Sequence, residues 1–273
     1  MSQKVNLNAY FERIGFAGSI APTLATLETI LGLHPAAIPF ENLSPLLGVP
    51  VELDLKAIEK KLLAEKRGGY CFEHNLLLAA VLRELDFPVK LLAARVLPET
   101  ERKTHMLLLV EIGGAQYLAD AGFGGNTPTA PLRLRADSEQ QTPHGTYRLT
   151  GGDPLWQLEI QIDETWTPLH AFETTEKTAA DYDAANAYVS SDPTSPFTTE
   201  LRVALSPAGK RIKLLNNRLN ILTIGEGTET RDINSVAELR EVLTTAFGIQ
   251  LPASDLLDPK LAEILARAGV AES

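Results

Sequence analysis

The chain has 273 residues, 44% of them apolar, and its 25 basic and 35 acidic side chains leave a net charge of −10. That length suits one large domain or two to three small ones, and the composition is that of a globular chain, not a disordered one. The acidic balance argues against general nucleic-acid binding, the single cysteine, Cys71, rules out an intrachain disulfide or a multi-cysteine zinc site, and apolar runs such as Met106 to Val110 fall far short of the roughly 20 residues a membrane span needs.

The opening Met-Ser-Gln-Lys-Val-Asn lacks an apolar signal core, so the expectation is a cytoplasmic enzyme or small-ligand binder. Residues 1–87 read as helical. Leu24, Leu27, Ile30 and Leu31 give a helix over Thr23–Leu33. Leu55, Ile58, Leu62 and Leu63 give a second, capped by Asp54 and ended by Gly68-Gly69. A third runs from Phe72 to Leu85 and stops before Pro88. Strands are predicted over Val89–Val96, His105–Ile112, Gln116–Ala121, Thr146–Leu149 and Trp156–Ile162, spaced as in an antiparallel sheet or barrel. Asp137–Gly145 reads as an exposed loop and Glu173–Asn186 as a polar crossing segment. Three more strands follow at Leu201–Leu205, Lys210–Leu215 and Leu219–Ile224. A Ser235/Glu238 capping box opens a helix to about Phe247, and a last helix spans Asp258–Ala268 with Pro259 in its first turn.

Cys71 is the first chemistry-bearing residue. It follows Arg67-Gly68-Gly69-Tyr70 and stands where a helix begins, and unpaired N–H groups with the positive dipole end favour a sulfur anion there. An unperturbed thiol is only about 3% ionised at neutral pH, so full ionisation raises the nucleophile's population roughly 30-fold. The bland reading is a buried small hydrophobe.

A partner comes from the hairpin at Gly113-Gly114. With a two-residue loop Ile112 opposes Ala115, Val110 opposes Tyr117 and Leu107 opposes Asp120. His105 shares the face of Leu107, which makes Asp120 its diagonal neighbour on one sheet face. If that face looks at Cys71 the set is a Cys–His–Asp triad; otherwise it is a structural His–Asp pair. His74, one helical turn after Cys71, is the rival base. Nucleotide-binding loops, a Gly-x-Ser-x-Gly elbow and His-rich metal motifs are missing from the sequence, so no metal is expected. The glycine-rich Gly122-Phe123-Gly124-Gly125 directly after Asp120 is a candidate lip of the site.

These residues also carry a resemblance. Arg67-Gly68-Gly69-Tyr70-Cys71-Phe72-Glu73-His74-Asn75, Ile38-Pro39-Phe40-Glu41-Asn42-Leu43, His105 before Leu107-Leu108-Leu109-Val110, and Tyr117-Leu118-Ala119-Asp120-Ala121-Gly122-Phe123-Gly124 resemble the motifs of arylamine N-acetyltransferases, in order and at matching separations. The resemblance spans essentially the whole chain, including Ser195-Pro196-Phe197-Thr198. It implies an α+β fold of three parts: an N-terminal helical bundle (1–87), a central antiparallel β-barrel-like domain (88–190) and a C-terminal α/β lid (191–273), with a cysteine-protease-like triad.

Carried over residue by residue, the resemblance makes Cys71 the nucleophile that takes an acetyl group from acetyl-CoA, His105 its ion-pair partner and proton acceptor, and Asp120 the group that orients His105. Phe40, Phe123 and Phe197 would line the pocket for an arylamine or hydrazine. Gly124, Gly125 and Phe197 would lie by the cofactor, and Arg67, Glu41 and Glu73 would form buried structural pairs. Asp192-Pro193 departs from the family's frequent His-Pro. An amide synthase that closes macrolactams, a thiol hydrolase with the same triad, and a non-catalytic binder of aromatic amines are the alternatives at this point. The oligomeric state is not legible.

Overall fold

The computed structural model describes residues 4–98 and 102–270; the first three residues of the N-terminal reading lie outside them. Among the described residues no helix is long and apolar enough to cross a membrane. The N-terminal third is helical. α1 (Leu7–Ile14) is capped by Asn6, whose Oδ1 accepts from Ala9 N at 3.1 Å. α2 (Leu24–Ala37) is capped by Thr23 and runs through Pro35, past the expected end at Leu33. The two-residue strand β1 (Phe40–Glu41) and the short α3 (Leu43–Leu46) follow. α4 (Leu55–Glu59) starts at Asp54 as expected and continues as a π-helical turn over Lys60–Ala64.

That helix ends before Gly68-Gly69, so the two glycines do a different job from the expected termination. A Cβ on Gly68 would lie 1.9 Å from Pro39 O, and one on Gly69 would lie 2.6 Å from Glu73 Oε2. Backbone from Pro39 to Glu41 runs against this loop, with Glu41 N donating to Gly69 O at 2.8 Å. Only residues without a side chain allow that approach. α5 (Cys71–Glu84) opens directly afterwards.

The central sheet has eight antiparallel strands: β2 (Val89–Val96), β3 (His105–Ile112), β4 (Ala115–Ala119), β5 (Leu132–Arg133), β6 (Gln140–Thr142), β7 (Gly145–Gly152), β8 (Leu155–Ile162) and β9 (Thr165–Glu173). Their order is β5-β4-β3-β2-β9-β8-β7-β6. The sheet curls until its edge strands nearly meet. There the Gln140 side chain accepts from Arg133 N at 2.7 Å and donates to Arg133 O at 3.0 Å, a side chain standing in for a backbone ladder. Leu92, Leu107, Leu109, Tyr147, Leu158 and Phe172 fill the interior. The alternate residues Leu91, Met106, Leu108 and Val110 pack outward with Leu77, Leu78 and Val81 of α5. β3 is therefore buried on both faces, which is why its sequence is an unbroken apolar run.

Asp137–Gly145 is not wholly a loop, since it contains β6, and β9 was not anticipated. Pro168 disguises β9; it sits opposite Glu159, where the register slips, a place that tolerates a missing N–H. The polar crossing segment is largely α6 (Ala179–Ser191), followed by the single turn α7 (Pro196–Thr199).

The second sheet has the order β1-β10-β11-β12-β13, with β10 (Arg202–Leu205), β11 (Lys210–Leu215), β12 (Arg218–Thr223) and β13 (Gly227–Asp232). Its first strand comes from the N-terminal segment, where Phe40 pairs with Ala204. α8 (Val236–Thr245) and α9 (Ser254–Arg267) cover one face, burying Leu214, Leu219, Leu243, Leu261 and Ile264 with Leu43 and Leu46. Ser235 Oγ accepts from Glu238 N at 3.2 Å, but Glu238 reaches back to Asn234 N, one residue before the expected capping-box partner. α9 begins four residues before the expected Asp258, so Pro259 stands inside the helix and not in its first turn.

Candidate active site

The start of α5 is held from several sides. Glu73 Oε2 accepts from Tyr70 N at 3.1 Å, and Glu73 Oε1 pairs with Lys61 Nζ at 2.7 Å. Burial raises the Glu73 carboxyl above its usual range, against the pull of Lys61. Glu41 accepts from Arg67 Nε (2.9 Å), Gly68 N (3.3 Å) and Leu43 N (2.6 Å). These contacts lock the loop whose last step delivers Cys71 as the first residue of α5, with its sulfur 3.6 Å from Thr104 O. The charged residues that the resemblance cast as structural pairs are joined in this way.

His105 opens β3 and Asp120 follows β4. The hairpin has the expected register, with Ile112 opposite Ala115 and Val110 opposite Tyr117. His105 Nε2 lies 2.7 Å from Asp120 Oδ2, both side chains buried. The other carboxylate oxygen accepts from Asn75 Nδ2 at 3.0 Å and Gly122 N at 2.8 Å. With Nε2 engaged, Nδ1 is the nitrogen left for Cys71, which shares the cavity wall with the same ring and favours its charged form.

Burial works against a charge on His105, but Asp120 and then Cys71 outweigh it and push its pKa up to about 10. Asp120 is held low, its own burial being outweighed by His105. The structure thus brings Cys71, His105 and Asp120 together, with the carboxylate saturated by donors.

His74, the rival base, is turned away. Its Nε2 lies 3.2 Å from Pro39 O and its Nδ1 2.8 Å from His34 Nε2; His34 Nδ1 lies 2.8 Å from Tyr10 Oη. Pro39 O can only accept, so His74 Nε2–H donates, His34 Nε2–H donates to His74, and Tyr10 O–H donates to His34. Every atom has one role and both rings are neutral. Burial lowers His74 to about 4 and holds His34 well below its ordinary value.

Two site residues were not anticipated. Asn75, one turn after Cys71, donates to Met106 O (2.7 Å) and Asp120 and accepts from Ala121 N (3.0 Å), so it joins α5, β3 and the loop after β4. Its i+4 spacing from Cys71 was the available signal. His170 of β9 is fully buried beside His105 and Phe123, at ring distances of 5.2 and 5.1 Å, and neither of its nitrogens has a protein partner. Burial, and then His105, lower it to about 3. Nothing in the sequence signals it, because β9 itself was hidden. His105, Asp120 and His170 each offer a ligand atom within 4.8 Å of the others, but both Asp120 oxygens are committed to hydrogen bonds. This chemistry fits a proton-bearing pair better than a metal.

A cavity of about 630 Å³ opens in front of Cys71 and His105. Phe40, Phe123, Gly124, Gly125 and Phe197, all singled out above, lie on its wall. Phe40 meets Phe197 edge-on at 6.2 Å and Phe123 meets His105 edge-on at 4.9 Å. A Cβ on Gly122 would lie 2.8 Å from Cys71 Cα, and Gly124 (φ +68°) packs under Phe40. Where the family's His-Pro is replaced, Asp192 caps the next turn by accepting from Thr194 N at 2.8 Å, and Ser195 Oγ accepts from Phe197 N at 3.2 Å.

A helix-borne thiol beside a buried His–Asp pair, on the wall of a largely apolar cavity, has the chemistry that acyl transfer through a sulfur requires. A family model described as N-acetyltransferase matches residues 23–256. The arylamine N-acetyltransferase of Mycolicibacterium smegmatis is 40% identical over 96% of this chain and 98% of its own length; that of Escherichia coli is 39% identical over 89% and 88%. Among solved structures, the Mycobacterium tuberculosis arylamine N-acetyltransferase superposes with a TM-score of 0.90 at 38% identity, covering 94% of this chain and 99% of that one. The Mycobacterium marinum enzyme in complex with CoA gives 0.91 at 37% identity, covering 95% and 99%. The chain belongs to the arylamine N-acetyltransferase family.

Proposed function

We propose that the chain transfers the acetyl group of acetyl-CoA to an aromatic amine or hydrazine in two half-reactions through an acetyl-Cys71 intermediate. The observation that carries this reading is the engagement of His105 Nε2 by Asp120 at 2.7 Å, which leaves Nδ1 to the sulfur on the cavity wall. The Cys71 sulfur attacks the thioester carbonyl, the carbon–sulfur bond to CoA breaks, and CoA leaves as a thiol with the imidazolium proton. The amine nitrogen then attacks acetyl-Cys71, His105 takes its proton, and the amide departs as the ion pair re-forms. Amides at the start of α5 and the Gly124 loop are the donors assigned to the developing oxyanion.

Aromatic amines suit this scheme because their nitrogen is unprotonated at neutral pH. Phe40, Phe123 and Phe197 hold the ring and exclude water that would drain the acetyl-enzyme. Gly124, Gly125 and Phe197 also border the cofactor's acetyl end. A nucleophile that must stay a free thiol suits a reducing cytoplasm. With acetyl-CoA alone, mass spectrometry should find one added acetyl group, absent in Cys71→Ser; transfer by a wild-type protein that never carries the label would refute the scheme. His105→Gln should abolish turnover, while His74→Gln should largely keep it.

A further inference from the structure

Arg211 and Lys213 alternate onto one face of β11, opposite the face that buries Leu214 against the C-terminal helices. In a chain with 35 acidic residues, neither has a carboxylate partner among the described residues. Arg211 is 2% exposed and spends its donors on neutral oxygens: Gly125 O (3.0 Å), Thr127 O (3.0 Å), His144 O (3.1 Å) and the Tyr147 hydroxyl (2.6 Å). Lys213 lines the reactive cavity. Its stem lies across Gly125, where a Cβ would come within 2.7 Å of both Cδ and Cε, and its Nζ donates to Asn126 Oδ1 at 2.7 Å. An ammonium has three donors, so two remain for a ligand.

We propose that Lys213, backed by Arg211, forms an anion subsite in the acceptor pocket that selects aromatic amines bearing a carboxylate. The inference rests on the acetyl-transfer reading above. A largely desolvated ammonium without a counter-ion is unfavourable, and a ligand carboxylate supplies the missing charge. Burial, and then Arg211, already lower Lys213 to about 8, the direction a nearby anion would reverse.

The distance suits an acceptor. Gly122 touches Cys71 and Gly125 touches Lys213. Gly122 and Gly125 are three Cα steps apart, at most about 11 Å if fully extended and less in the 3₁₀ turn over Gly124–Asn126. One benzene ring with a para carboxylate fits such a gap. In acetyl-CoA the phosphates are separated from the thioester by the whole pantetheine arm.

The test compares wild type with Lys213→Met and Lys213→Arg on 4-aminobenzoate and its neutral counterpart 4-aminobenzamide, with acetyl-CoA as donor. The ratio of kcat/KM for the acid over the amide should fall about 10- to 100-fold in Lys213→Met and recover most of that loss in Lys213→Arg. An unchanged ratio overturns the proposal. So does a rise in KM for acetyl-CoA with the ratio intact, which would assign the cation to the donor's phosphates. Wild-type inactivity on both amines would instead strike the acetyl-transfer reading itself.

Discussion

Asp120 accepts three hydrogen bonds, from His105, Asn75 and Gly122, and a carboxylate so supplied stays ionised while its imidazole partner stays protonated. The His105 ring, raised to about 10, should therefore remain cationic at neutral pH. In an NMR titration of the wild-type protein its ring protons should show no transition near pH 6.5. In Asp120→Asn, which keeps the shape and removes the charge, a transition should appear at or below that pH, and kcat/KM should fall by two orders of magnitude or more. A wild-type ring that titrates as an ordinary histidine would contradict the ion pair. Asn75 belongs to the same unit. Asn75→Ala strips partners from Met106 O and Ala121 N in the interior and should cost about 2–4 kcal/mol in urea unfolding.

At the scale of elements, the strand-to-helix connections depend on backbones that approach where no Cβ fits. Gly122→Ala would drive a methyl to 2.8 Å from Cys71 Cα, and the obstacle is backbone. It should lower the melting temperature by several degrees and slow acetylation of Cys71 even at saturating acetyl-CoA. The elements that carry the His–Asp pair were legible from sequence because strict alternation and a Gly-Gly turn fix a hairpin's register. Bounds for β2, β3 and β11 followed because each is an apolar-rich run flanked by Pro, Gly or Asn turn residues. β9 was not legible, since Pro168 hides it and its bulge is set by a partner strand. β13, polar and exposed throughout, offers no alternation to read. The purpose of Gly68 was equally invisible, because the obstacle it avoids, Pro39 O, is distant in sequence. The approach of Cys71 to His105 is a tertiary fact, reached in advance only through family resemblance.

For the whole molecule, the buried titratable groups set opposing pH limits. His170 (about 3), His74 (about 4) and His34 are neutral in the fold and would take protons near pH 6.5 once unfolded. Their contribution is intact above pH 6.5 and is lost as pH falls from there towards the folded values. Asp120, lowered in the fold, acts in the same sense at more acid pH, present above 3.8 and lost as pH falls through its folded value. His105 acts oppositely, its contribution present below 6.5 and lost as pH rises through about 10. Unfolding free energy should therefore decline on acidification below pH 6.5. His170→Leu removes one such group, and also a buried ring without a protein partner, so the slope between pH 6 and 4.5 should shrink by about 1.4 kcal/mol per pH unit. An unaltered slope in denaturant titrations would contradict a neutral His170.

The pairing of Phe40 with Ala204 also bears on how the polypeptide is born. At roughly 5–20 residues per second, a ribosome takes about ten to thirty seconds to travel from one codon to the other. During that interval Cys71, His105 and Asp120 have all been synthesised, yet the part of the cavity wall contributed by β10 and β11 does not exist. A nascent chain is thus reactive in composition before it is enclosed in shape, and competence arrives only when the late strands dock against the early one.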